Sequence, residues 1–109
     1  MKPLANPSRL SDSDLRFLAW VAETRMEACP QFCHWLAQVA EGERVRREQS
    51  LPVPKFAFPR NWSAGALAQA IRVLTPLTYA PPSVAAGKFA DSLLAAVNGF
   101  VTLHLEAVR

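Results

Sequence analysis

Residues 82–109 constrain the fold more than any other stretch. Their polar members, Lys88, Asp91, Ser92, Asn98, Gly99, Thr102, Glu106 and Arg109, recur mostly at steps of three, four and seven. That spacing draws a narrow wet stripe along a helix. The rest of the circumference is Val, Ala, Phe and Leu. A helix so apolar over most of its surface must be covered by neighbours on several sides. At about 1.5 Å per residue it runs roughly 40 Å, the length of a small domain. The stretch is therefore expected to be the central helix of a bundle.

A chain of 109 residues suits one domain with a modest core. Half its residues are hydrophobic and 19% are charged, which excludes a disordered chain. The first nine residues are short and polar, with no apolar core of a signal peptide before Asp12. The longest uncharged part of the last helix, 92–105, is shorter than the about 20 apolar residues of a membrane span, and it contains Asn98 and His104. A soluble cytoplasmic protein that does not engage membranes is expected.

Four helices follow from the rest of the pattern. Residues 1–10, with Pro3 and Pro7, read as an irregular arm. Ser11 is a good N-cap with Asp14 three residues on, and Leu10 and Leu15 are placed as a hydrophobic staple across it. The first helix is expected to reach about Ala28, with Leu15, Leu18, Ala22, Met26 and Cys29 inward and Phe17, Trp20 and Val21 widening that stripe. Pro30 either kinks this helix or opens a second one at its first position; the second option loses no hydrogen bond and is favoured. The second helix carries Phe32, Trp35, Leu36 and Val39. Its apolar pattern fails after Gly42, so residues 43–48 are expected to be solvated and frayed.

Residues 50–61 form a Pro-rich connection. Pro52, Pro54 and Pro59 forbid a helix and favour extended backbone. It either straps across the bundle with Val53, Phe56 and Phe58 inward, or presents them outward. Asn61 or Ser63 caps a short third helix with Leu67, Ala70, Ile71 and Leu74 inside. Thr75-Pro76 is expected to end it. A rigid turn then leads to Pro82 at the first position of the last helix. The fold class is thus all-α: an irregular four-helix bundle with a Pro-rich connection between its second and third helices.

Charge is uneven. Residues 44–60 hold Arg44, Arg46, Arg47, Lys55 and Arg60 against Glu48 alone, a net +4 within a chain of net +3. No Asp or Glu lies between Gln49 and Ala90. With Phe56, Phe58 and Trp62 interleaved, this segment has the residue types that contact phosphates and stack on bases. The opposing reading is a solvated helix end with aromatics in the core, and no helix-turn-helix spacing accompanies the segment.

Signals for chemistry are weaker. Cys29 and Cys33 lie four apart with His34 beside them. A structural zinc site needs four ligands, usually in two clusters, and no second cluster is present. Side-by-side positions on a helix orient a disulfide poorly. Two reduced core residues are the favoured reading. No nucleophile, base and acid can be assembled from the spacing, so no catalytic residue, metal ligand or cofactor is assigned and an enzyme is not expected. Trp20, Trp35, Trp62 and the Phe-Ala-Phe run are a heavy aromatic load for a small bundle, and exposed aromatics near Arg make interface hot spots. The expected function is a small helical interaction or regulatory protein, adaptor-like and self-associating as a homodimer. Its partner-binding residues would be Phe56, Phe58, Trp62, Phe89 and Phe100. The alternative is a nucleic-acid-associated regulator using the basic segment.

Overall fold

The computed structural model describes residues 6–108, with side chains through Leu103. Arg109 and the side chain of Glu106, both part of the expected wet stripe, lie outside the described residues, as does the side chain of His104. Four α-helices are present among the described residues: α1 (Asp12–Arg25), α2 (Pro30–Glu48), α3 (Ala64–Tyr79) and α4 (Val84–Val108). A short 3-10 turn, Pro7–Arg9, precedes them. The all-α bundle matches expectation.

Local chemistry starts each element. Ser11 and Asp14 form a reciprocal capping box on α1. Leu10 and Leu15 are both buried in the same core cluster, as a staple requires. Pro30 stands at the start of α2. Cys29, its N-cap residue, supplies no side-chain hydrogen bond. The orphan amides of Gln31 and Phe32 instead donate to Oε1 of Gln69 on α3, at 3.0 and 3.2 Å. Ser63 caps α3 by accepting from the Ala66 amide.

Five boundaries differ from the sequence reading. Helix α1 stops at Arg25, and residues 26–28 turn towards Pro30. The N-terminal arm is regular from Pro7, and Leu10 is buried. Helix α3 runs through Pro76 to Tyr79. The proline removes one N–H, but Leu74 and Leu77 on either side are buried, and that packing outweighs the lost bond. The last helix begins after Pro82: Ser83 Oγ accepts from the Ala86 amide at 3.0 Å and does the capping. Helix α2 continues in order to Glu48, beyond the point where its apolar pattern ends.

Two helical hairpins, α1/α2 and α3/α4, make the most extensive pairings, and α2 against α3 joins them. One core cluster runs through all four helices, with Phe32, Leu36, Leu67, Leu74, Phe89, Leu93 and Val97 at its centre. Asp14, buried, accepts from Ser83 Oγ at 2.9 Å, which ties the start of α1 to the start of α4. At Gly87 a Cβ would sit 3.1 Å from Pro81 Cβ and Cγ, so a larger residue there would have to push Pro81 aside by a few tenths of an ångström. The wet stripe of α4 is where the spacing put it: Lys88, Asp91, Asn98, Gly99 and Thr102 are exposed and Ser92 is half-buried.

Candidate functional site

The Pro-rich connection is a strap across the bundle. Phe56 lies 5.8 Å from Phe89, and Phe58 stacks on Phe100 at 5.7 Å, ring centre to ring centre. Both contacts are with α4. Trp35 of α2 receives Phe56, Phe58 and Trp62 at 6.0, 5.2 and 5.3 Å, and Trp62 also meets Phe32 edge-on. These separations and tilts are those that aromatic pairs favour.

The five residues expected to anchor a partner therefore converge on one inward-facing aromatic cluster. Phe89 and Phe58 are only 1% and 5% exposed, and Phe56, Trp62 and Phe100 are half-buried. Their first role is to hold the strap on α4. The apolar breadth of that helix is covered from within, by α3 on one side and the strap on another.

The basic segment is likewise committed to the fold. Glu43 has its side chain 4% exposed and accepts from two arginines: Arg46 at 2.8 and 2.9 Å, and Arg47 at 2.9 Å. Arg46 also donates to the Leu51 carbonyl at 2.8 Å. Arg47 continues to Asp12 Oδ1 at 2.8 Å and to the carbonyls of Pro7, Ser8 and Leu10. Arg44 pairs with Glu41 and Glu48 on the surface. Hydrogen bonding to Arg46, and then to Arg47, holds the Glu43 carboxyl below the usual glutamate range. Of the five basic residues, only Lys55 and Arg60 have no ion-pair partner among the described residues. The expectation of a solvated, frayed end at 43–48 is corrected by this knot: a buried glutamate and two arginines order the last turns.

Cys29 and Cys33 are both free and buried. Burial, and then Cys29 itself, pushes the Cys33 thiol up, so it stays protonated at neutral pH. Among the described residues no three His, Cys, Asp or Glu side chains gather as a metal site would need. Nor does any buried side-chain polar atom among them lack a partner.

What remains open to solvent is elsewhere. The large apolar side chains that stand out are Trp20 (58% exposed), Leu51, Val53, Tyr79 (84%), Val84 and Leu103. Trp20 was expected to widen the buried stripe of α1. It points outward beside half-buried Phe17, at the edge of a trough of about 870 Å³ between α1 and α2. A smaller trough, about 370 Å³, lies between α2 and the strap, lined by Trp35, Gly42, Arg46 and Phe56 among others. Residues 84–103 are long and apolar enough by composition to cross a membrane, with a mean hydropathy of 1.2. In the bundle, Phe89, Leu93 and Val97 of that stretch are wholly buried against the other helices.

The chain matches no family model, and neither a curated protein nor a solved structure is similar to it.

Proposed function

We propose that the protein is a small helical interaction protein, adaptor-like, that works by binding another polypeptide and associates with itself. One observation carries the reading. Among the described residues the fold satisfies its buried side-chain polar groups internally and still leaves Trp20, Tyr79 and Val84 standing in solvent on helices. Large aromatic side chains held without cost in loop ordering are among the residues that dominate interfaces, and a neighbouring aliphatic adds apolar area. The anchors are thus these exposed residues, in place of the aromatics of the strap.

The nucleic-acid alternative retains Lys55 and Arg60 as uncommitted cations, too few for a strong phosphate-tracking surface. Sedimentation across protein concentration tests the main reading. The mass is expected to rise from the 12.0 kDa chain towards twice that value. A monomer at millimolar concentration would remove self-association. Retention on random duplex DNA that falls steeply with salt would favour the alternative.

A further inference from the structure

We infer that self-association runs through the outward face of α1, paired antiparallel with α1 of a second copy about a two-fold axis near Ala19 and Trp20. The inference rests on the self-associating reading above and names its surface.

The charges around the α1–α2 trough single out this arrangement. Most are already neutralised within the chain: Arg47 by Asp12 and Glu43, and Arg44 by Glu41 and Glu48. Arg16 and Glu23 also line the trough, both exposed, and neither has an ion-pair partner among the described residues. They lie two turns apart on α1 and bracket Trp20. That is too far for them to meet on their own helix, where ion pairs form at three or four residues. A two-fold axis between Ala19 and Trp20 places Arg16 opposite the second copy's Glu23, and Glu23 opposite its Arg16. Both unpaired charges are then satisfied by one operation. A foreign acidic or basic partner would satisfy only one of them.

Shape agrees with charge. The patch contains a projection, Trp20, and small neighbours beside it: Ala19 on the same helix and Ala37 and Ala40 across the trough. A surface holding both projection and recess can complement itself, as an isologous interface must. One helix pair with a shallow trough is a small contact, so the dimer is expected to be weak and concentration-dependent.

Analytical ultracentrifugation of the full chain, with thermal melts run on each variant, tests the pairing. Trp20→Ala should weaken dimerisation about thirtyfold or more, the loss expected of a central aromatic anchor. Arg16→Glu sets like charges opposite each other twice and should weaken it about tenfold; Glu23→Arg alone should do the same. The exchange Arg16→Glu with Glu23→Arg restores both pairs and should recover affinity to within about threefold of the unchanged chain. All three positions of change are solvent-exposed, so melting temperatures should stay close to that of the unchanged chain. A dimer untouched by Arg16→Glu, or an exchange no better than the single changes, overturns the α1 pairing while self-association stands. A chain monomeric at every concentration overturns both.

Discussion

The strap is fastened at its two ends by opposite chemistry. At its root, α2 ends in a knot of charge: Glu43 between Arg46 and Arg47, with Arg46 also donating to the Leu51 carbonyl. At its tip, Phe56, Phe58 and Trp62 are held by ring contacts on Trp35, Phe89 and Phe100. Both ends have compositions that look like recognition surfaces, one for phosphates and one for a protein. Both are turned inward. A residue type suited to binding is equally suited to binding its own chain, and only the uncommitted remainder is free for a partner. The two fastenings should also respond differently to conditions. The root depends on ionisation, and the tip depends on packed area.

The largest effect belongs to the tip. Phe58→Ala removes a ring that contacts Trp35, Trp62 and Phe100 together. A buried Phe→Ala change costs about 3–5 kcal/mol. Chemical denaturation should show a loss of that size, nearly unchanged between low and high salt and between pH 7 and pH 5. A loss below about 1 kcal/mol would mean that the strap is not fastened by its rings.

Glu43→Gln loosens the root and should cost less, about 2 kcal/mol, because the amide can still accept from one arginine. Its signature is pH. The folded state depresses the Glu43 carboxyl, chiefly by the hydrogen bond from Arg46. A depressed acid contributes stability that is fully present above its unfolded value of about 4.3 and is lost as pH falls through the folded value. The unchanged protein should therefore hold its melting temperature from pH 7 to about pH 5 and lose it below. Glu43→Gln should start lower and fall less steeply in acid. Parallel acid slopes for the two chains would show that Glu43 does not couple folding to protonation.

The contrast between the two ends also marks what the sequence makes legible. Periodicity identified the apolar spine and its wet stripe, because α4 is long and most of its polar residues lie on one line. Short-range capping was readable at Ser11 and Asp14, where the partners are three residues apart. The basic segment reads as more unbalanced than it is because most of its neutralising partners lie outside it: Glu41 and Glu43 stand just upstream, and Asp12 is brought in by the fold. Composition over a window counts charges without pairing them. Trp20 failed for a different reason. Hydrophobicity alone assigns a tryptophan to the core, yet its position two residues past Leu18 turns it away from the buried stripe of α1. Pro76 and the cap supplied by Gln69 depend on packing between helices, which no local pattern records.

The smallest expected effect lies at the junction between knot and strap, and it is a gain. Helix α2 closes with a Schellman pair: the Ser50 amide donates to the Arg47 carbonyl at 3.2 Å and the Leu51 amide to the Arg46 carbonyl at 3.0 Å. The geometry puts Ser50 at φ 52°, the left-handed region, the one such non-glycine residue among the described residues. A side chain there costs about 1 kcal/mol that glycine does not incur. Glycine also loses more backbone freedom on folding, so Ser50→Gly should gain about 0.5 kcal/mol net. Because Ser50 lies between the two fastenings and its side chain belongs to neither, this gain should persist when combined with Phe58→Ala or with Glu43→Gln. If it vanishes in the Glu43→Gln background, the helix end is held by the charge knot and not by its own backbone, and root and turn form one cooperative unit.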